Sequence, residues 1–424
     1  MTLLRSLPRS RCNNTMLHER SPRAVVITGM GAITGSGLGV KPLWQDVINA
    51  RSRITRVTLE KRTYLGVPAS LDDECVEWFR KIGHYDRYAV MGFIAAQLAL
   101  RDAEWTQCSE STASAGIVMG TGFGAMGTIE NTHRTLFEAK RDRVRPMTLP
   151  LAMSNSVGAL MAQSFQFHGP NLIISTACSS SAHAVGIGSR LIEQGICDAV
   201  VVGGTDAPLL QGVFASWDAL GVLAPDQEPP TEGLRPFDRD RQGVVLGEGA
   251  GVVVLEAWSH ARKRNRSPYA LICGYGASAD GKHLTRPDSA GMALAMTRCL
   301  ANAQCPPDFV DYIQAHGTGT VANDTVECEA LESVFDGRTP PVSSSKPITG
   351  HTMGAAGILG LIIAIMSLEN KTIPPTANLR SVDPQCQGVT HVVNPVATPL
   401  NKILVNAFGF GGNNASLLIE SIHN

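Results

Sequence analysis

Two stretches decide the fold: AVVITGMGAIT (24–34) and ALICGYGASAD (270–280). Each opens with an apolar run that reads as a buried strand, 24–28 and 270–274, and is then broken by Gly-x-Gly. Their likeness suggests two copies of one unit joined near the basic segment 262–266; chance similarity between buried strands is the plainer alternative. Working outward, segments 115–119, 172–174, 199–202 and 251–255 also read as strands. Amphipathic stretches at 88–102, 154–167 and 182–194 fall between most of them. The second half repeats the rhythm, with strands at 270–274 and 310–314, helices at 292–303, 324–335 and 355–368, and strands at 403–407 and 416–420. Alternating strands and helices define α/β layers.

The 424 residues are 44% apolar and 17% charged, which suits a large core and excludes a disordered chain. Lys+Arg (36) and Asp+Glu (37) nearly cancel to a net charge of −1, which speaks against a nucleic-acid scaffold. No apolar run reaches the roughly 18 residues of a membrane span, so the richest stretch, 358–368, reads as a core helix. The 10 cysteines show no C-x-x-C or Cys/His ligand rhythm, so neither a metal centre nor a disulfide scaffold is expected, and a reducing cytoplasm is the default. Residues 1–22 carry several Arg and one acid. They read as an unstructured extension or an upstream start with Met16 as the true beginning, a transit peptide being the alternative.

Gly122-Phe-Gly124-Ala-Met-Gly127 fits G-x-G-x-x-G, but the chain beyond it is basic and broken by proline, with no second strand ending in an acid. Close backbone packing is expected there, not a dinucleotide. Ser175-Thr-Ala-Cys178-Ser-Ser-Ser181 lies between a strand and a helix. A cysteine at a helix start meets unpaired N–H groups, which favour thiolate over thiol; a buried structural cysteine is the alternative. His316 leaves a strand into a Gly-Thr-Gly-Thr loop, and His351 lies in KPITGHTMGAAG (346–357) just before a helix. Alone, each histidine would read as structural; together with Cys178 they outline a site. Lys346 is either solvated or a buried cation that keeps a neighbouring histidine neutral. Asn406–Asn414 (NAFGFGGNN) reads as a flexible turn whose amides form an anion nest, or as a simple hairpin connection.

Five motifs in order, VVITGMG, TACSSS, AHGTGT, KPITGHTMGAAG and NAFGFGGNN, make residues 23–424 resemble a β-ketoacyl-acyl-carrier-protein synthase. The resemblance implies a thiolase-like five-layered α/β/α/β/α fold of two duplicated halves, 23–265 and 266–424, and a homodimer or a heterodimer with a related chain. By position, Cys178 resembles the acyl-accepting nucleophile, and His316 and His351 the pair acting on the malonyl thioester. Lys346 matches the family lysine. Phe410 matches the gating aromatic, with Phe408 and Gly411 beside it, and its amide would join that of Cys178 as an oxyanion donor. Thr318 and Thr320 fall on substrate-binding positions, and Asp324 and Glu327 on the acidic positions after the first histidine.

The implied reaction is a decarboxylative condensation on acyl and malonyl carrier proteins without metal or redox cofactor. The sequence departs from fatty-acid elongation synthases where Gly360 replaces a glutamate and Asn413 a threonine, which points toward a polyketide, polyene or modified acyl product. The basic run Lys140, Arg141, Arg143 and Arg145 is a candidate carrier-protein dock, or else a solvated charge run. Two other functions compete: a non-catalytic partner that shapes another chain's acyl tunnel, which the intact Cys/His set argues against, and a thiolase, whose second cysteine neither histidine motif supplies.

Overall fold

The computed structural model describes residues 21–422, apart from 61, 72–76, 78, 79, 83 and 106–111. The expected N-terminal extension, except Ser21 and Pro22, lies outside the described residues, as do Cys12, Cys75 and Cys108.

The first half contributes β1 (Val25–Thr34), β2 (Ala115–Gly120), β3 (Asn171–Ile174), β4 (Ala199–Asp206) and β5 (Gly249–Ala257). The second contributes β6 (Ala270–Ala279), β7 (Tyr312–Gln314), β8 (Val342–Ser343), β9 (Lys402–Gly409) and β10 (Asn413–Ser421). They run side by side in the order β8-β7-β9-β10-β6-β1-β5-β4-β2-β3, with the short strand Gly37–Leu38 set beside β1. From either edge inward, the order is third, second, fourth, fifth and first strand of that half. The directions repeat as well: in each half the three outer strands are mutually parallel and the two inner pairings antiparallel. The halves meet where β1 pairs with β6 over Val25–Ile27.

The Gly-x-Gly pairs do not end their strands, as the sequence reading had it. They seat helices. A Cβ on Gly29 or Gly31 would lie 2.2 Å from the Ala99 carbonyl or 2.1 Å from that of Ala95, both in α1 (Arg87–Asp102). A Cβ on Gly274 or Gly276 would lie 2.6 Å from the carbonyl of Cys299 or 2.1 Å from that of Ala295 in α4 (Ser289–Asn302). Without side chains on the strand, the helix backbone rests directly on it. Each strand also carries a register shift just before the first glycine, between Ile27 and Gly29 and between Ile272 and Gly274.

Between the half-sheets lie α2 (Ser180–Glu193) and α6 (Ala356–Asn370). They share one core with Ile27, Leu255, Val405 and Leu417. Outside one half-sheet α1 packs in a second core, and outside the other α4 and α5 (Val321–Phe335) pack in a third. The result is five layers. Along β5, Val253 and Leu255 face the central core while Val252 and Val254 face the outer one, the alternation a strand buried on both sides requires. With its preceding turn, α6 forms an 18-residue stretch, Met353–Asn370, apolar enough by composition to cross a membrane; 78% of it is buried inside the protein, as a core helix.

Candidate active site

The strand ends aim their loops at one place. After β3 the chain turns sharply through Ala177, which holds φ 54, and Cys178 sits in the short turn ahead of α2. The serines close this turn: Ser180 Oγ accepts from the Thr176 N–H at 2.9 Å, and Ser179 Oγ donates to the Thr176 carbonyl at 2.8 Å. Ser181 Oγ accepts from the Ile358 N–H at 2.9 Å, tying the start of α2 to the start of α6.

In the second half, His316 follows β7. Glu327 of α5 accepts from the backbone N–H groups of His316 and Gly317, both at 2.8 Å, and Asp324 accepts from those of Thr318 at 3.0 Å and Phe237 at 2.9 Å. The two acids thus shape the loop. Lys346 follows β8 and extends its ammonium to His316, 3.3 Å from Nδ1 and bonded to the His316 carbonyl.

These residues converge. His351 Nε2 lies 3.0 Å from Cys178 Sγ, and the two imidazole rings stand 5.5 Å apart at 82°. The Met353 N–H donates to His351 Nδ1 at 3.2 Å, so the neutral ring carries its proton on Nε2, facing the sulfur. The Lys346 ammonium does the same for His316, leaving its Nε2 as the N–H. Burial, the nearby ammonium and, for His316, the neighbouring imidazole hold both histidines well below their ordinary range, so both are neutral donors at pH 7.

The sequence expectation of a resting thiolate is corrected. Burial pushes the Cys178 thiol up to about 12, outweighing the Lys346 charge and the backbone N–H groups of Phe410 and Cys178 itself, which both point at the sulfur. The helix start supplies donors, but desolvation at 4% exposure dominates. The resting group is a thiol in a cage built for the anion. Burial also lowers Lys346 to about 8, against the pull of Glu327, and raises Glu327 to about 7.

The thiol and imidazoles open into a cavity of about 170 Å³ lined by Thr318, Thr320, Phe408, Phe410 and Trp217. Phe408 meets His316 edge-on at 6.0 Å. The Asn406–Asn414 segment is a hairpin between β9 and β10, with Gly411 at φ 80 and Gly412 at φ 71. The Gly411 N–H is taken by the Leu284 carbonyl at 2.7 Å, so it shapes the loop and is no donor to the cavity. The sulfur and ring nitrogens lie within 4.8 Å of one another, close enough to hold a soft metal, but the Lys346 ammonium opposes a second cation there. Lys140, Arg141, Arg143 and Arg145 are exposed and are not among the residues lining the cavity; Phe137, Met147 and Leu149, close to them in the chain, are exposed as well.

One group went unread in the sequence. Asp206, at the end of β4, is fully buried and accepts from Thr121 Oγ1 at 2.7 Å, the N–H groups of Gly122 at 2.7 Å and Phe123 at 3.0 Å, and the Gly354 N–H at 2.7 Å. The G-x-G-x-x-G amides therefore hold an internal carboxylate, and the glycines permit the backbone contact with the His351 turn. Burial, outweighing these four donors, raises the Asp206 carboxyl to about 6.

A duplicated five-layered fold with a caged cysteine and two neutral imidazoles at the seam of its halves defines an acyltransferase of the condensing class. The chain belongs to the beta-ketoacyl synthase family: the N-terminal domain of that family matches residues 22–261 and the C-terminal domain residues 269–380. It is 36% identical to Nodulation protein E of Rhizobium leguminosarum bv. trifolii, over 94% of this chain and 100% of that one. It is 35% identical to the mitochondrial 3-oxoacyl-[acyl-carrier-protein] synthase of Arabidopsis thaliana, over 97% and 96% respectively. Among solved structures, the ishigamide ketosynthase/chain length factor superposes with a TM-score of 0.88 at 32% identity, covering 95% of this chain and 100% of that one.

Proposed function

We propose that the chain is a β-ketoacyl-acyl-carrier-protein synthase in which Cys178 carries the acyl group. The observation that carries this reading is the gathering of the Cys178 sulfur and a ring nitrogen of each histidine within 4.8 Å of one another, with His351 Nε2 at 3.0 Å from the sulfur. In the first half-reaction Cys178 Sγ attacks a carrier-bound thioester. The oxyanion is held by the Cys178 and Phe410 N–H groups, a contribution of about 3–4 kcal/mol per donor. The pantetheine thiol leaves with the proton and the acyl group remains on sulfur. In the second, malonyl carrier protein enters past Thr318 and Thr320. His316 and His351 donate to the thioester carbonyl, the malonyl C–C bond breaks to release carbon dioxide, and the enolate attacks the acyl carbonyl. A new C–C bond forms, the sulfur leaves, and the chain is two carbons longer. Lys346 orients His316, and Asp324 and Glu327 shape its loop.

The partners follow from this reading: acyl carrier protein, with Lys140, Arg141, Arg143 and Arg145 as a candidate dock, and a second related chain. Relatives support both, including a ketosynthase solved with its type II polyketide acyl-carrier protein and one solved with its chain length factor. The halves divide near 265/266, after helix Trp258–Lys263. A reducing cytoplasm is the proposed setting, consistent with free thiols at the described cysteines. A non-catalytic chain-length role is disfavoured by the complete Cys/His set. The test is incubation with acyl and malonyl carrier proteins: a 3-oxoacyl product is expected, lost in Cys178→Ser while decarboxylation survives. Unchanged condensation in that variant ends the assignment.

A further inference from the structure

Trp217 belongs to α3 (Gln211–Ala219), whose buried face is Val213, Phe214 and Trp217. Its indole stacks on the Phe410 ring at 5.4 Å and 21°, and meets the His351 ring edge-on at 6.5 Å and 80°. The helix is fixed from behind: Phe214 stacks on Tyr64 at 4.6 Å and 14°. The indole is 6% exposed and packs in the same cluster as Cys178. Phe410, by contrast, is half-buried and precedes two glycines of positive φ, a backbone that pivots without side-chain strain. Its N–H points at the sulfur, and its carbonyl accepts from Asn413 Nδ2 at 3.2 Å. Ring and amide belong to one residue, so a pivot of the backbone at the two glycines that carries the ring off the indole also carries the amide away from the thiol.

We propose that Trp217 is a positioning residue that latches Phe410 over Cys178, so that a fixed indole sets both access to the thiol and the seating of the Phe410 donor. This rests on the reading of Cys178 as acyl acceptor, but its test does not. The readout is the rate at which iodoacetamide alkylates Cys178, located by peptide mapping. W217A raises that rate roughly two- to tenfold, the population shift that losing one stacked pair allows. W217F, which keeps a stacked ring, stays near wild type. F410A is also faster, and W217A/F410A is no faster than F410A alone, because both act through one contact. Rates that multiply in the double variant, or a W217A rate equal to wild type, overturn the latch; a mere enlargement of the cavity gives the multiplying result. Should W217A not fold, W217L takes its place in the cycle. A wild-type thiol that alkylates as described yet never loads an acyl group refutes the functional reading and leaves the latch standing.

Discussion

Replacing Lys346 with methionine tests what holds His316 in its working form. The side chain is 6% exposed, and methionine nearly matches its length, so packing changes little. The charge matters more. At 3.3 Å from His316 Nδ1, an ammonium repels an imidazolium by about 5 kcal/mol at an effective dielectric near 20. Removing it raises the His316 pKa, but burial is the larger cause of its depression and remains, so the ring stays neutral at pH 7. What is lost is the donor on Nδ1, and with it the reason for the proton to stay on Nε2. Condensation and malonyl decarboxylation should both fall roughly 10- to 100-fold, as when an outer partner orienting a working imidazole is removed. Nitrogen-15 NMR of labelled histidine should show His316 shifting from the Nε2–H tautomer toward a mixture. A variant with full turnover and an unmoved tautomer would refute the reasoning.

Three further outcomes are expected. Gly354→Ala would put a Cβ 2.5 Å from the Gly122 nitrogen and 2.7 Å from Asp206 Oδ2; stability in urea should drop by about 1–3 kcal/mol, and turnover should fall as the Met353 N–H leaves His351. Asp206→Asn probes a carboxyl raised from 3.8 to about 6, a difference of about 3 kcal/mol. Its folded form holds a proton that the unfolded chain gives up, so wild-type stability is favoured at low pH and lost as pH rises through about 6. Denaturation from about pH 4 to 7 should therefore shift the balance toward the Asn variant, whatever the constant offset; a pH-independent difference would show the carboxylate ionised throughout. Ala177→Gly relieves a positive φ of 54 and should stabilise the fold by up to about 1 kcal/mol in the same assay, with Cys178 still reactive.

The strands and helices were legible because burial on both faces writes continuous Val/Ile/Leu runs, as in β4 and β5. Their ends were not: β1 was expected to stop before Gly29, and only the helix resting on it shows why glycine continues the strand. Cys178 and His316 stood out because each follows a strand into a small-residue turn, and His351 and Lys346 because they share a glycine-rich segment that runs into a helix. Asp206 and Trp217 did not, since their partners lie far away in the chain: Gly354 is 148 residues from Asp206. The apolar spacing of Val213, Phe214 and Trp217 was a usable helix signal that went unread. The ionisation of Cys178 was misjudged because a helix start is visible in sequence and its burial is not.

The repeated strand order gives both halves the same set of loop positions. In the first half the loop after the third strand presents Cys178; in the second the same position presents Lys346 and His351. The loop after the second strand clasps Asp206 in one copy and projects His316 in the other. One architectural slot has acquired opposite chemical duties, electron-rich sulfur on one side of the pseudo-dyad and hydrogen-bond donors on the other. Neither repeat in isolation holds a complete reaction centre, so a lesion that parts the two without unfolding either would silence the enzyme.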